Sequence, residues 1–113
     1  MHELGITQSI VEIADRTARE QGAVRIISVT VEIGALSGVI PESVEFCFAS
    51  CSKGTMLEQS ELLIERIPGK GRCPGCGFEL EIDPLTFSCP ECGALGLERL
   101  QGEELRIKEL EVD

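Results

Sequence analysis

Apolar residues recur at near-helical spacing in two segments of the chain. From Leu4 to Gln21 they return every third or fourth position, with charged side chains between them, which predicts an amphipathic helix ended by Gly22. A second helix is predicted to begin at Pro41, whose fixed φ suits a first helical turn, and to end at Gly54. Its apolar stripe, at i, i+3, i+4 and i+7, consists of Val44, Cys47, Phe48 and Cys51.

Three further segments have the pattern of β-strands. The first alternates apolar and polar residues from Ile27 to Ile33, which predicts a half-buried strand closed by Gly34. Leu62–Ile67 and Leu105–Val112 form the second and third predicted strands. In the third strand the apolar phase shifts after Ile107, and such a slip predicts a β-bulge or an edge position.

Together these elements predict an α+β fold in which two helices pack on a three-stranded sheet. Before the third strand, Pro-Gly-Lys-Gly at 68–71 opens a segment that holds four of the six cysteines. We expect residues 72–97 to form an inserted zinc-ribbon-like minidomain, with 1–71 and 98–113 forming the α+β domain. Because this insertion makes the preceding connection long, exchange of the third strand in a homodimer stays open.

Length and charge narrow the range of functions. A chain of 113 residues makes one domain, or one domain with a small satellite. Its 10 basic and 20 acidic residues give a net charge of −10, which disfavours nucleic acid as a partner. The chain shows neither a secretory signal nor a membrane span, so we expect a soluble, cytoplasmic protein, in which disulfides are rare.

The cysteines carry the strongest motif. C-P-x-C-G occurs twice, at Cys73 and Cys76 and again at Cys89 and Cys92, with 12 residues between Cys76 and Cys89. Two thiols three residues apart can reach one ion, and the following glycine lets backbone amides turn toward the sulfurs. Two such knuckles offer four thiolates in the tetrahedral geometry of structural zinc. A minidomain of this size would draw most of its folding energy from the metal.

Other interpretations of these cysteines are weaker but stay open. Disulfides conflict with the expected compartment, and a thioredoxin-like C-x-x-C would open a helix after a strand. Iron fits the same four-sulfur geometry, so metal analysis has to separate it from zinc. For Cys47 and Cys51 we expect packing in the second helix, where a free cysteine behaves as a small hydrophobic residue.

The amino terminus supplies a second candidate metal site. The amine of Met1, the backbone nitrogen of His2 and its imidazole would close two chelate rings, and Glu3 would complete a square. A planar, nitrogen-rich set favours Ni(II) or Cu(II) over zinc. The positive end of a helix dipole opposes a cation there, so deprotonated amides and Glu3 have to offset it.

These features together resemble the HypA/HybF hydrogenase nickel-incorporation proteins. The resemblance rests on the Met-His-Glu start, the Gly-Ala-Leu-Ser-Gly loop at 34–38 followed by Pro41 and Glu42, and the paired C-P-x-C-G knuckles. It implies a nickel metallochaperone with a structural zinc domain. By this resemblance Met1, His2 and Glu3 match the nickel site, while the four knuckle cysteines match the zinc site. An acidic side chain at the start of the second helix also joins the nickel in some members, and Glu42 is the nearest candidate.

The resemblance also implies partners. It predicts work with the GTPase HypB to load nickel into the large subunit precursor of NiFe hydrogenase, with urease supplied by some relatives. We expect a delivery protein and not an enzyme, because no nucleophile with a base and no phosphate loop is recognisable. Two other hypotheses stay open: a zinc-ribbon adaptor without a nickel role, and a rubredoxin-like electron carrier.

Overall fold

The computed structural model describes residues 3–113 and contains two helices and two small sheets. The helices are α1 (Glu3–Glu20) and α2 (Pro41–Ser52). The first sheet contains β1 (Ile26–Gly34), β2 (Glu61–Ile67) and β6 (Leu105–Val112), and the second contains β3 (Lys70–Arg72), β4 (Glu79–Glu81) and β5 (Glu98–Gln101). Within the described residues neither helix is long and apolar enough to cross a membrane.

The first sheet has β1 at its centre, parallel to β2 and antiparallel to β6. Both helices contribute to one apolar core with this sheet, and α1 packs against α2 and β6. The most deeply buried side chains of the core include Val11, Ala14, Ala18, Ile26, Val29, Val31, Ile33, Val44 and Leu57. The predicted α+β arrangement, with two helices on a three-stranded sheet, is therefore confirmed.

The phase shift in the last strand corresponds to a bulge. Ile107 pairs with Val31 and Glu109 pairs with Thr30, so Lys108 has no counterpart in β1. The strand also lies at the edge of its sheet. Both features predicted from the shifted apolar pattern are present.

The central strand is more buried than its alternating pattern predicts. Ser28 and Thr30, on the polar positions of β1, are buried, whereas Ile27 is partly exposed at an irregularity in the pairing with β6. Long side chains of the two flanking strands cover the polar face: the Lys108 ammonium crosses from β6 to the Glu65 carboxylate on β2 at 3.1 Å. The prediction of a half-buried strand was wrong because neighbouring strands, and not the helices alone, remove β1 from solvent.

The second sheet was not predicted from the sequence, because its strands are only three or four residues long. It has the order β4-β3-β5, with both pairings antiparallel. It joins the first sheet near Leu36, whose amide donates to the Gly102 carbonyl oxygen at 2.7 Å. The assignment of residues 72–97 to a separate minidomain stays a prediction.

Candidate metal centre

The four knuckle cysteines converge on one point beside the second sheet. Their sulfur atoms all lie within 4.8 Å of one another. The Sγ atoms of Cys73 and Cys92 are 3.5 Å apart, and those of Cys76 and Cys89 are 3.6 Å apart. Cys73 and Cys89 are buried, whereas Cys76 and Cys92 are exposed. Among the described residues, this is the group of cysteine, histidine and acidic side chains arranged to hold a metal ion.

The two knuckles have the same backbone geometry. In the first, the Gly77 amide donates to the Cys73 carbonyl at 2.8 Å, and the Cys73 amide donates to the Phe78 carbonyl at 2.9 Å. The second repeats both bonds at the same distances, from Gly93 to Cys89 and from Cys89 to Ala94. The glycines have φ of 77° and 76°, a conformation that strongly favours glycine, which explains the residue after each second cysteine.

Backbone amides point toward the sulfurs, as expected for thiolates. The amides of Gly75 and Cys76 donate to the Cys73 sulfur at 3.3 and 3.4 Å, and the Glu91 amide donates to the Cys89 sulfur at 3.3 Å. The bond from the Cys76 amide is the main reason why the pKa of Cys73 falls to about 6. The Phe78 amide lowers the pKa of Cys76, but burial and the neighbouring thiols outweigh it and raise that pKa to about 12.

This geometry fits a four-coordinate metal better than a disulfide. A tetrahedral ion with metal–sulfur bonds of about 2.3 Å places its sulfurs about 3.8 Å apart, close to the separations observed. A disulfide needs about 2.05 Å, and all six cysteines are free. Zinc would be held by all four thiolates and would supply structural cross-linking, with the amide donors stabilising their charge. The same sulfur set also suits iron, and elemental analysis of the purified protein distinguishes the two metals.

The candidate nickel ligands lie at the opposite end of the sequence. Met1 and His2 fall outside the described residues, and Glu3 is the first residue of α1. The Glu3 carboxylate accepts a hydrogen bond from the Ile40 amide at 3.3 Å. Ile40 is the N-cap of α2 and its side chain supplies no cap, so Glu3 provides a negative charge at the positive end of that helix.

Glu42, the further candidate ligand, is held by a cation. The Arg66 guanidinium on β2 donates to its carboxylate at 2.8 Å, and both side chains are exposed. This hydrogen bond is the main reason why the pKa of Glu42 lies below its usual range. A metal cation that binds the Glu42 carboxylate would therefore have to compete with the Arg66 guanidinium for it.

Sequence reasoning missed the two groups that contact these candidates. Ile40 is 37 residues from Glu3, and Arg66 is 24 residues from Glu42. Neither pair has a spacing that signals contact, because only the packing of α1 against α2 and of α2 near β2 brings them together.

The remaining cysteines are separate from the metal cluster. Cys51 packs against the core as expected, and Cys47 is half-buried on the same helix. Burial, with a contribution from Cys47, raises the pKa of the Cys51 thiol. A thiol with a raised pKa is a poor nucleophile, which agrees with a packing role.

Comparison with known proteins identifies the family. Residues 1–112 match the family model described as "Hydrogenase/urease nickel incorporation, metallochaperone, hypA". The chain is 51% identical over its full length to the full-length hydrogenase maturation factor HypA of Geobacter metallireducens, and 52% identical, again over both full lengths, to that of Geobacter sp. strain M21.

Solved structures share the fold. The solution structure of the nickel metallochaperone HypA from Helicobacter pylori superposes with a TM-score of 0.67 at 23% identity, covering 99% of this chain and 97% of that one. A second structure, described as the solution structure of HypA protein, gives a TM-score of 0.72 at 23% identity and covers 100% and 97% of the two chains. The family match over residues 1–112 and the relatives at about 50% identity show that the chain belongs to the HypA family of nickel-incorporation metallochaperones for hydrogenase maturation.

Proposed function

We propose that this chain binds Ni(II) at its amino terminus through Met1, His2 and Glu3 and delivers it for assembly of the NiFe hydrogenase active site. The observation that carries the proposal is the position of Glu3: its carboxylate lies at the start of α2 and belongs to the first turn of α1. The two residues before it in the sequence would supply an amine, an imidazole and a backbone nitrogen.

The first turn of a helix suits such a cargo site. Its backbone amides have no intrahelical acceptor, so their recruitment by a metal breaks no helical hydrogen bond. Nitrogen-rich planar donor sets favour Ni(II) over Zn(II), which separates this site chemically from the thiolate cluster. The Glu3 carboxylate offsets the positive ends of both helix dipoles, which would otherwise repel a cation.

We assign Zn(II) a structural role at Cys73, Cys76, Cys89 and Cys92. The sulfur separations fit a tetrahedral ion, and the knuckle glycines and amide donors are those of a thiolate site. Residues 72–97 would then be the zinc domain, joined to a nickel-binding domain made of residues 1–71 and 98–113. Zinc held there would cross-link the cysteine-bearing segment beside the short strands of the second sheet and would not be passed on.

Delivery requires other proteins. We propose that the GTPase HypB supplies nucleotide-driven steps and that the hydrogenase large subunit precursor receives the nickel, so this chain acts as a carrier and not as an enzyme. The cytoplasm is the compartment that keeps four thiols reduced for zinc. Exchange of β6 between two chains would give a homodimer without changing either metal site.

Nickel titration of the zinc-loaded protein tests the proposal. We expect His2→Ala, and a glycine added before Met1, to weaken nickel binding by at least about tenfold while zinc stays at one ion per chain. The added glycine moves the amine out of the chelate without changing a side chain, and a glycine added after Asp113 is its matched control. Unchanged nickel affinity in both amino-terminal variants would overturn the proposal.

The same titration distinguishes the alternatives. A zinc-ribbon adaptor is favoured by the exposed apolar side chains on the cysteine-bearing segment. It predicts one zinc per chain and no dependence of nickel binding on His2. A rubredoxin-like carrier predicts iron and a coloured, redox-active preparation, which metal analysis detects directly.

A further inference from the structure

We propose that the outer end of the cysteine-bearing segment is a docking surface for a polypeptide that presents apolar side chains next to Lys or Arg. We call this surface the ribbon tip and define it by Leu85, Phe87 and Leu95. This surface is separate from the candidate nickel ligands, because its residues belong to the second half of the chain and lie outside both helices.

The ribbon tip exposes large apolar side chains that the fold does not use. Leu85 is 78% exposed, Phe87 is 68% exposed and Leu95 is 74% exposed. None of them belongs to the core, and none is a ligand of the four-thiolate cluster. Scattered apolar residues on a surface are ordinary. Here Phe87 and Leu95 line one groove, and Leu85 lies between Pro84 and Thr86, which line it too, so the grouping indicates an interaction site.

Backbone pairing brings these residues together. Ser88 pairs with Leu95 in an antiparallel bridge, and the Gly96 amide donates to the Phe87 carbonyl at 3.4 Å. Phe87 and Leu95 therefore lie on adjacent segments and line a groove of about 330 Å³. The rest of the groove is lined by Pro84, Thr86, Gly96, Leu97 and Arg99.

The backbone that presents Leu85 is fixed before any partner binds. The Asp83 carboxylate accepts hydrogen bonds from the Leu85 amide at 2.8 Å and from the Thr86 hydroxyl at 3.0 Å. The Thr86 amide also donates to the Asp83 carbonyl at 3.1 Å. A surface ordered in this way loses little backbone entropy on binding, so more of the contact energy becomes affinity.

The negative charge of the cysteine-bearing segment indicates which kind of partner binds the groove. Residues 73–98 contain no Lys or Arg and five acidic side chains: Glu79, Glu81, Asp83, Glu91 and Glu98. Arg99, the cation at the groove, is paired with Glu103 at 3.1 Å. Four thiolates around a divalent metal would add a further net negative charge. Asp83 and Glu98 are the sequence neighbours of residues that line the groove, and acidic groups beside an apolar groove attract a segment with flanking cations.

The same charge argues against a second copy of this chain as the occupant. Each chain carries a net charge of −10, so docking two ribbon tips would bring like charges together at short range. Like-charge juxtaposition suppresses a wrong partner even where apolar surfaces match. The favoured occupant is therefore a basic and apolar segment of another protein.

A phage-displayed library of random 12-residue peptides, selected on the zinc-loaded full chain, tests this inference. We expect the enriched peptides to combine aliphatic or aromatic residues with neighbouring Lys or Arg. The most enriched peptide should bind Phe87→Ser and Leu95→Ser at least about tenfold more weakly than the unchanged chain. Phe46→Ser is the matched control, because Phe46 is 86% exposed on α2, and it should keep the affinity within about twofold.

Zinc content of each variant separates loss of the surface from loss of the fold. Leu85→Ser lies in the 83–86 turn, outside the Ser88 to Leu95 bridge, and provides a second test if Leu95→Ser loses zinc. No enrichment, enrichment of acidic or uncharged peptides, or equal binding by the Phe46 and Phe87 variants would overturn the proposal. Concentration-dependent dimers that Phe87→Ser abolishes would also overturn it, since the occupant would then be a second copy.

Discussion

Gly34, the last residue of β1, lies in direct backbone contact with Gly102, which follows β5: a Cβ atom on Gly34 would overlap the Gly102 carbonyl group. Next to this contact the Gly34 amide donates to the Glu104 carbonyl at 2.7 Å, and the Ala35 amide donates to the Ile67 carbonyl at 2.9 Å. The end of β1 and the loop after it are thus hydrogen-bonded to the connection between β5 and β6 and to the last residue of β2. Close backbone approach, and not loop flexibility, explains the first glycine of the Gly-Ala-Leu-Ser-Gly sequence.

Gly34→Ala should therefore lower the free energy of unfolding by about 1–3 kcal/mol or more. The added methyl group overlaps backbone atoms, which cannot move away as a flexible side chain can. Urea unfolding of the zinc-loaded protein measures the change. Gly5→Ala is the control: its Cβ meets nothing within 4 Å on α1, and alanine is the better helix former, so stability should stay level or rise. Equal stability of the Gly34 variant and the unchanged chain would contradict this prediction, since it would show that the Gly34 and Gly102 backbones can move apart to accommodate the methyl group.

The lowered pKa of Asp15 predicts that the protein loses stability in acid. Its carboxylate accepts hydrogen bonds from Arg19 and from the Met56 amide, both at 2.9 Å, and these bonds lower its pKa in that order. A carboxyl whose pKa is lower in the folded chain stabilises the fold above its ordinary pKa, and this contribution disappears as the pH falls through the lowered value. Asp15→Asn should cost about 1 kcal/mol at pH 7 and progressively less below about pH 4.

Urea unfolding at several pH values checks this prediction. Asp113→Asn, which breaks an exposed ion pair with Arg25, is the control and should change stability by less than about 0.5 kcal/mol at pH 7. A constant difference between Asp15→Asn and the unchanged chain from pH 7 to pH 3 would contradict the assignment of the lowered pKa to these two bonds.

Replacing Arg66 should free the Glu42 carboxylate from its ion pair. Because the Arg66 hydrogen bond is the main cause of the lowered pKa of Glu42, Arg66→Gln should move that pKa up toward its usual range. Carboxyl-carbon NMR titration follows the change directly. Lys108→Gln, which breaks the separate pair with Glu65, should leave the Glu42 titration where it was. If Glu42 contributes to nickel binding, Arg66→Gln should also strengthen that binding.

The cysteines should divide into two classes. Cys73→Ala removes a buried ligand with two amide donors, so metal should be lost, and amide protons of residues 73–97 should exchange rapidly while β1 stays protected. Cys47→Ala, on α2, should retain one metal ion per chain. Loss of metal from both variants, measured by elemental analysis, would show that the two classes are not independent.

Local sequence patterns were sufficient to predict much of this structure. The helix from Glu3 and the helix from Pro41 follow from apolar spacing and from proline and glycine positions, which act over a few residues. The repeated C-P-x-C-G motif was sufficient for the four-sulfur cluster, because the turn geometry of each knuckle is local. The shift after Ile107 even located the bulge at Lys108 to within two residues.

The strand pairing and the contacts of the candidate nickel ligands needed the whole fold. The three short strands of the second sheet have no periodicity of their own, and they exist because residues 70–72 pair with partners on both sides.

The sequence by itself determined the helices, the strands of the first sheet and the candidate ligands among the knuckle cysteines and at Met1, His2 and Glu3, since these depend on side-chain chemistry at fixed local spacing. Glu42 became a candidate only through the family resemblance. Only the tertiary structure decided that Thr30 is buried beneath a Lys108 to Glu65 bridge, that Glu3 meets Ile40, and that Arg66 holds Glu42. These contacts join residues far apart in the chain, and their geometry is set by packing of the complete core.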